Sequence, residues 1–220
     1  MIHVVAGAVT RADGRVLIAQ RPPGKHLAGS WEFPGGKLEP GEARAAGLAR
    51  ELREELDIAI RDPRPLVRVR HTYPYGEVLI DMWVVTRYEG EPRGLDGQAL
   101  RWCTQDELAT SDLLPADRPI VRALRLPERL SAAYTPIYDI GEPSMRNGSK
   151  LRGVLCSTVE EAVSAANVDG RPDFLVMRRE LPAEHLQHLC ESVSVPVFAR
   201  GIRPEAAWVL GASGISMLDV

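Results

Sequence analysis

Cysteine is scarce in this 220-residue sequence, and its three cysteines form no motif. Cys103, Cys156 and Cys190 lie far apart, without a CxxC pair or a Cys/His cluster. This spacing argues against a zinc site and against a disulfide framework. It predicts buried structural thiols in a reducing compartment, and we therefore expect a cytoplasmic protein.

Long apolar runs are also absent, and neither sign of charge is in large excess. No run approaches the length of a membrane span, and the first residues lack the pattern of a signal peptide, so we expect no membrane partner. The formal net charge of -3 offers no broad basic surface, so we expect no stable nucleic-acid binding. A small phosphorylated ligand is compatible with this balance because it needs only a few local cations.

Alternating, β-branched segments in residues 1–130 predict an α/β domain with a mixed sheet and helices on its faces. The predicted strands cover residues 3–9, 16–21, 66–74, 78–89 and 99–104, and a helix is predicted over residues 120–126. The Asp13-Gly14 turn predicts that the first two strands pair as a hairpin.

Residues 131–150 lack a clear period and contain Pro, Gly, Ser and Asn, so they are predicted to form a partly ordered linker. Over residues 151–220 short strands alternate with helices, which predicts βαβ units and a parallel sheet in a second, smaller domain. The edge strands of such an open sheet have unpaired backbone groups that another surface must cover. The chain is therefore expected to be a monomer or a homodimer that pairs through this segment.

The most informative stretch is residues 31–58, WEFPGGKLEPGEARAAGLARELREELDI. It begins with a Pro-Gly-Gly turn, passes through an acidic loop and enters a predicted helix. In that helix Glu51, Glu54 and Glu55 stand at i, i+3 and i+4, so they share one side. Clustered carboxylates suit a hard divalent cation such as Mg²⁺. A solvated acidic face is the alternative interpretation of the helix alone.

The loop and helix together resemble the Nudix box. The match runs from Gly36 over five residues to Glu42, and after seven more residues it reaches the segment RELREELDI at residues 50–58. One position departs from the family pattern, because its late glycine is Asp57 here. Asp tolerates the left-handed backbone conformation better than most residues, so a helix C-cap can survive. The resemblance implies a Nudix fold for residues 1–130, an α+β sandwich with a mixed sheet between helices.

The same resemblance implies a phosphoanhydride hydrolase with Mg²⁺ as its cofactor and Mn²⁺ as a substitute. It implies catalytic roles for Glu51, Glu54, Glu55 and Arg50, and metal ligation by the Gly35 carbonyl, the three glutamates and Asp96. Arg50 matches the family arginine that orients a glutamate, and Gly36 and Glu42 match structural positions of the box. The glutamate that acts as the base varies within the family and stays open.

The resemblance extends over residues 3–126 to the MutT subgroup, which cleaves oxidised guanine nucleoside triphosphates. The matching pieces are Arg21 at a strand end, WEFPGGK, EGEPRGLDGQ before a strand, and PADRPI. They imply that Arg21 lies near the substrate phosphates and Phe33 under the base. Asp117 matches the residue at the base edge. A surface arginine, core packing and a helix cap are the structural interpretations of these three residues.

Asp117 departs from the MutT pattern, which has an asparagine at this position. Asparagine donates and accepts hydrogen bonds, whereas an ionised aspartate only accepts them. An acceptor suits the protonated N7 of an 8-oxopurine, the N1 and amino edge of guanine, or the amino group of cytosine. The preferred base therefore stays open.

Residues 151–220 resemble the later part of thiamine-phosphate synthase and its TenI relatives, which are (β/α)8 barrels. The likeness is carried by GVLCSTVEEAVSAANVDGRPDFLVM and VPVFARGIRPEAAWVLGASGISML. Arg200-Gly201 replaces the paired glycines of that family, and so short a segment cannot close an eight-stranded barrel. The resemblance implies part of a TIM barrel, and no synthase activity is expected.

The leading hypothesis is a Mg²⁺-dependent nucleoside triphosphate pyrophosphohydrolase. Its substrate would be an oxidised purine triphosphate of the 8-oxo-dGTP type, cleaved to the monophosphate and pyrophosphate in nucleotide pool sanitation. A CTP, dCTP or general triphosphate pyrophosphohydrolase is the alternative in the same class. From a different class, the chain would be a non-catalytic regulatory module that senses a thiamine-pathway phosphate.

Overall fold

The computed structural model describes residues 1–130, 137–139, 151–168 and 170–217. The chain divides into two compact units, of which residues 1–64 and 69–121 form the first and residues 65–68 and 122–220 the second. Each unit has a hydrophobic core of its own. Among the residues that are described, no helix combines the length and the apolar character that a membrane span requires.

Residues 1–123 form nine strands and three helices. These are β1 (Ile2–Val9), β2 (Val16–Gln20), β3 (Trp31–Glu32), β4 (Gly35–Lys37), α1 (Arg44–Leu56), β5 (Ala59–Arg61), β6 (Arg64–Tyr73), β7 (Gly76–Val85), β8 (Arg87–Glu89), β9 (Leu100–Cys103), α2 (Gln105–Thr110) and α3 (Arg118–Ala123). One sheet has the order β4-β1-β7-β6, a second has the order β3-β2-β9, and β5 pairs with β8. The first sheet is mixed, because β1 runs parallel to β7 and antiparallel to β4.

The predicted hairpin between the first two strands is wrong. β1 and β2 lie in different sheets, and Thr10 and Val16 form an isolated bridge between them. The turn itself forms, since the Gly14 N–H donates to the Arg11 carbonyl at 2.9 Å. β7 pairs along the whole of β1 and β4 pairs with its middle, so β2 meets only the end of β1, at the Thr10–Val16 bridge.

Helix α1 presents its leucines to the core and its glutamates to the other side. Leu48, Leu52 and Leu56 are fully buried against residues of β1 and β7. The helix ends at Asp57, which adopts the left-handed conformation with φ 58° and ψ 35° and donates its N–H to the Arg53 carbonyl at 3.1 Å. The C-cap predicted at this departure from the family pattern is therefore confirmed.

The second unit is built on a parallel sheet. Its elements after α3 are β10 (Arg129–Leu130), β11 (Ile137–Asp139), β12 (Gly153–Cys156), α4 (Val159–Ala166), β13 (Phe174–Met177), α5 (Ala183–Ser192), β14 (Val197–Ala199), α6 (Pro204–Val209) and β15 (Gly214–Ser216). The strand order is β10-β15-β14-β13-β12-β11, and every neighbouring pair is parallel. The predicted alternation of strands and helices and the parallel sheet are confirmed.

The two units have other bounds than the domains predicted as residues 1–130 and 151–220. The second unit takes in residues 122–130, because β10 pairs with β15. Of the predicted linker, residues 137–139 form β11 beside β12, and residues 131–136 and 140–150 lie outside the described part of the chain. The relation of this unit to a TIM barrel stays a prediction.

Candidate active site

A cavity of about 580 Å³ lies within the first unit. Two groups of lining residues face it. The carboxylate side consists of Glu51, Glu54, Glu55 and Asp96, and the Asp117 side consists of Phe33, Tyr73, Leu114 and Asp117. The cavity thus joins an acidic region to an aromatic and apolar one, and most of the residues singled out by the sequence face it.

Two glycines at the entry to the box allow the backbone to pass close to its neighbours. Gly35 has φ 146°, and a Cβ there would overlap the backbone of Val5 and Ala6 on β1. A Cβ on Gly36 would overlap the carboxylate of Glu51. Glycine is therefore required at both positions. Gly35 needs it for its positive φ and the nearby backbone, and Gly36 needs it because the Glu51 carboxylate lies so close.

Arg50 holds two of the cavity glutamates through a fully used guanidinium group. Its Nε and Nη2 donate to the two oxygens of Glu42 at 3.0 and 2.9 Å, and Nη2 also donates to the Lys37 carbonyl at 3.1 Å. Its Nη1 donates to Glu51 Oε1 at 2.9 Å and to Glu54 Oε2 at 3.2 Å. These five bonds match the five N–H donors of the group, so arginine is required here.

Glu55 is held separately, by the backbone of the glycine turn. Its Oε2 accepts a hydrogen bond from the Gly35 N–H at 3.1 Å. The pKa of Glu55 is raised to about 7, chiefly by burial and in smaller part by the charges of Glu32 and Glu51, while the Gly35 bond and the charge of Lys25 oppose the rise. Glu55 is therefore more easily protonated than an exposed glutamate.

Asp96 reaches the cavity from the loop before β9. The loop is tied to the end of α1, because the Leu95 N–H and Gln98 Nε2 both donate to the Glu55 carbonyl, at 3.0 and 3.1 Å. The Asp96 carboxylate is 52% exposed and lies 3.7 Å from Lys25 Nζ. Asp96 stands 41 residues after Glu55 in the sequence, and the fold brings both side chains to the same cavity.

The donors on the carboxylate side fit a hard divalent cation. Four carboxylates and the Gly35 carbonyl are oxygen donors of the kind that Mg²⁺ and Mn²⁺ take. Within the described ranges no three His, Cys, Asp or Glu side chains converge as a ready-made metal site. Mg²⁺ keeps several waters and shares the phosphates of its substrate, so it does not need a cage made of protein ligands alone.

On the Asp117 side, a buried carboxyl group faces an aromatic wall. Asp117 is 3% exposed, and its Oδ2 accepts a hydrogen bond from the Phe33 N–H at 3.3 Å. Burial raises the pKa of Asp117 to about 8, and the negative charge of Glu32 contributes to the rise. Near neutral pH the group is therefore mostly protonated, and a protonated carboxyl both donates and accepts hydrogen bonds.

Phe33 serves the core and the cavity at once. Its side chain is only 3% exposed and yet lines the cavity wall. Tyr73, at the end of β6, is hydrogen-bonded to the Ala116 backbone, beside Asp117. The Ile120 N–H donates to the backbone carbonyl of Asp117 at 3.0 Å, while the Asp117 side chain bonds to Phe33, so the helix-cap interpretation stays a prediction.

Among the cavity residues that sequence reasoning did not single out are Glu32, Lys25, His26 and Tyr75. Glu32 stands within the quoted WEFPGGK entry and forms an ion pair with Arg21, so its place in that motif was the available signal. The other three stand on loops, where no periodicity marks the side chains that face a ligand.

The comparisons with known proteins agree with this geometry. Residues 5–123 match the family model for the NUDIX domain. The chain belongs to the Nudix family. Its Nudix domain makes it a hydrolase of phosphoanhydrides, and hydrolases of this family generally need a divalent metal.

Individual relatives match the same half of the chain. It is 39% identical over 123 residues to the CTP pyrophosphohydrolase of Escherichia coli (strain K12), a match that covers 56% of this chain and 90% of that protein. It is 31% identical over 124 residues to the 8-oxo-dGTP diphosphatase of the same organism, covering 56% and 96%. The solution structure of the E. coli ORF135 protein matches with a TM-score of 0.51 and 39% identity, covering 56% and 87%. The Nudix fold predicted for the N-terminal half is thereby confirmed.

Proposed function

We propose that the chain is a Mg²⁺-dependent nucleoside triphosphate pyrophosphohydrolase that cleaves oxidised purine triphosphates of the 8-oxo-dGTP type. The observation that carries this proposal is the cavity that joins four carboxylates to the buried carboxyl group of Asp117. The triphosphate of a nucleotide suits the acidic, cation-binding side, and its base suits the aromatic and apolar side. The relative named 8-oxo-dGTP diphosphatase supports the choice of substrate.

The reaction consumes one water. The water attacks the β-phosphorus, the bond from that phosphorus to the α–β bridging oxygen breaks, and the nucleoside monophosphate leaves with that oxygen, releasing pyrophosphate as the second product. Arg50 keeps Glu51 and Glu54 in fixed orientations through its hydrogen bonds. One of the three glutamates of α1 takes the proton of the water, and which one does so stays open.

Glu51, Glu54, Glu55, the Gly35 carbonyl and Asp96 would hold Mg²⁺, or Mn²⁺ in its place. When bound, the cation neutralises charge on the phosphoryl oxygens and lowers the pKa of the attacking water. The protein contributes orientation. Gly36 and Glu42 support it, because Gly36 leaves room for Glu51 and both oxygens of Glu42 accept from the Nε–Nη2 edge of the Arg50 guanidinium.

The base is read on the Asp117 side. Phe33 offers an aromatic face, and the protonated Asp117 offers a donor in addition to an acceptor, as the MutT asparagine does. The functional consequence is nucleotide pool sanitation, which protects DNA replication and supports DNA repair by removing oxidised precursors.

A pyrimidine triphosphate is the second candidate substrate. Its support is the 39% identity to the CTP pyrophosphohydrolase, against 31% to the 8-oxo-dGTP diphosphatase of the same organism. The Putative 8-oxo-dGTP diphosphatase 2 of Mycobacterium tuberculosis, at 45% identity, supports the first candidate instead. An acceptor oxygen on Asp117 suits the amino group of cytosine. The two candidates share the reaction and differ only in the base.

A panel of turnover measurements tests both the hydrolase activity and the base preference in this proposal. Pyrophosphate release is measured with 8-oxo-dGTP, dGTP, CTP and dCTP, with and without Mg²⁺, for the wild type and for Asp117→Asn. We expect the highest kcat/KM for 8-oxo-dGTP. A preference for CTP or dCTP would replace the first candidate with the second. Absence of Mg²⁺-dependent pyrophosphate release with every triphosphate would contradict the enzyme itself.

For the second unit we propose common ancestry with thiamine-phosphate synthase and TenI barrels, without synthase activity. Its support is the run of parallel strands separated by helices. Formation of thiamine phosphate from its pyrimidine and thiazole precursors by the purified chain would contradict this. The cytoplasmic location, the lack of stable nucleic-acid binding and the monomer or homodimer state stay predictions.

A further inference from the structure

The loop between β2 and β3, residues 22–30, is closed on itself and on Arg21. The Arg21 N–H donates to the Ser30 carbonyl at 3.0 Å, and the Gly29 N–H donates to the Arg21 carbonyl at 3.0 Å. Gln20 Nε2 donates to the Gly29 carbonyl at 2.8 Å. The base of the loop is thus fixed to the end of β2, which gives its side chains defined positions along the cavity wall.

The guanidinium group of Arg21 bonds to this loop and to one carboxylate. Its Nε donates to the His26 carbonyl at 2.7 Å, and its Nη1 forms an ion pair with Glu32. The group is therefore engaged on two sides, and its side chain is 21% exposed. Arg21 thus positions the loop as well as lining the cavity, and its role beside the substrate phosphates stays a prediction. The loop itself presents a second cation.

Lys25 is that cation. It lines the cavity together with Glu54, Glu55 and Asp96, its side chain is 46% exposed, and its Nζ lies 3.7 Å from Asp96 Oδ2. Its charge reaches further into the site, because it opposes the burial that raises the pKa values of Glu55 and Glu32. A flexible ammonium group beside an exposed carboxylate can turn from that carboxylate to a phosphate oxygen.

We propose that Lys25 is a further substrate-binding residue, whose ammonium group contacts the phosphate chain of the bound triphosphate. The inference rests on the proposed function for the presence of a triphosphate in this cavity. Asp96 holds the ammonium group at the cavity edge before the substrate arrives. The contact is electrostatic and independent of the base.

The test compares Lys25→Met with Lys25→Arg in the full chain. Inorganic tripolyphosphate, a phosphate chain without a base, is titrated by calorimetry at saturating Mg²⁺, and KM and kcat are measured with the preferred triphosphate. Loss of a charged hydrogen bond predicts about a tenfold weaker tripolyphosphate affinity and a similar rise in KM for Lys25→Met. Lys25→Arg should recover most of both, and raising the salt concentration should reduce the difference between wild type and Lys25→Met.

Arg53→Met is the matched control, because Arg53 is an exposed cation of α1 that does not line the cavity. It removes the same net charge and should leave tripolyphosphate affinity unchanged. Equal affinities for wild type and Lys25→Met would overturn the proposal, as would equal losses in Lys25→Met and Arg53→Met. A changed Mg²⁺ requirement with unchanged tripolyphosphate affinity would show that Lys25 acts only on Asp96, and would overturn it too.

The calorimetric measurement needs no turnover. If no triphosphate is hydrolysed by the wild type, the proposed function fails while the contact of Lys25 with a phosphate chain is still tested. If the wild type is active and Lys25→Met behaves like it, the proposed function stands and the role of Lys25 fails.

Discussion

The two sides of the cavity hold the same kind of group in opposite electrostatic surroundings. On the carboxylate side, Arg50 donates hydrogen bonds to Glu51 and Glu54. Glu55 is the exception on that side, because it accepts one backbone N–H and burial raises its pKa to about 7. On the Asp117 side, a single backbone N–H reaches a carboxyl group that is almost fully buried. A carboxylate is kept charged by donors and cations, and it is driven to its neutral form by burial beside a like charge. The surroundings of Glu51 and Glu54 therefore differ from those of Asp117, and Glu55 resembles Asp117 in its burial and its single backbone donor.

The sharpest test of the carboxylate side is Glu54→Gln. Glu54 is 60% exposed and has one hydrogen bond, at 3.2 Å, to Arg50. We expect kcat to fall on the order of 10³-fold, because a neutral amide would replace a charged carboxylate ligand of the proposed cation. The free energy of unfolding should stay nearly unchanged. Steady-state kinetics and thermal unfolding check this. Exposed Glu39→Gln, outside the cavity lining, is the control, and a loss shared by both variants would contradict the role of Glu54.

Arg50→Lys tests whether orientation of the glutamates matters as much as their charge. A lysine keeps the positive charge and loses the fork that binds both oxygens of Glu42. We expect activity to fall about 10- to 100-fold, the range for residues that orient metal ligands. Activity against Mg²⁺ concentration is the measurement, and exposed Arg53→Lys is the matched control. Equal activity of Arg50→Lys and wild type would show that the five hydrogen bonds are not needed.

Asp117→Asn tests the charge state of the other side. Between pH 4 and 8 the folded metal-free protein keeps a proton on Asp117 that the unfolded chain has released, because the pKa in the fold is about 8. The free energy of unfolding should therefore fall as pH rises through this window, by at most about 1.4 kcal/mol per pH unit for this group. Asn cannot release a proton, so the slope should become smaller.

The slope should not vanish in Asp117→Asn, because Glu55, with a pKa of about 7, also takes up a proton in the fold. Chemical denaturation at pH 5, 6, 7 and 8 without metal provides the measurement. Asp112→Asn, at an exposed position of the same segment, should leave the slope unchanged. An Asp117→Asn slope equal to that of the wild type would mean that Asp117 is ionised in the fold.

Tyr75→Ala is expected to have the mildest effect, and it probes the rim of the Asp117 side. Tyr75 is 52% exposed and stacks on Tyr73 with ring centroids 5.0 Å apart. If the rim contacts the base, KM for the preferred triphosphate should rise about two- to tenfold, while tripolyphosphate affinity stays constant. Tyr75→Phe keeps the ring and should behave as wild type. A loss of tripolyphosphate affinity in Tyr75→Ala would remove the distinction between the two sides.

Much of the carboxylate side can be predicted from the sequence because its geometry is local. Glu51, Glu54 and Glu55 share one side of α1 by helical spacing alone, and Asp57 ends that helix in the conformation expected for a C-cap. The parallel sheet of the second unit is equally predictable from its short strands and helices. In each case the pattern repeats within a few residues.

Other features depend on partners that are distant in sequence. The Asp13-Gly14 turn forms and yet fails to make a hairpin, because β7 pairs along the whole of β1, β4 pairs with its middle, and β2 meets only its end. Lys25 and Tyr75 stand on loops with no repeating pattern, so only the fold shows that they line the cavity.

The sequence by itself determined the chemistry of this protein: the spacing from Gly36 to Ile58 is enough to assign it to the Nudix hydrolases and to name the glutamates of α1. The tertiary structure alone decided the state of Asp117. Its pKa depends on burial and on Glu32, which lies 85 residues earlier in the chain. The same carboxyl group is charged in water and can be neutral in a protein core, because burial and nearby charges shift its pKa.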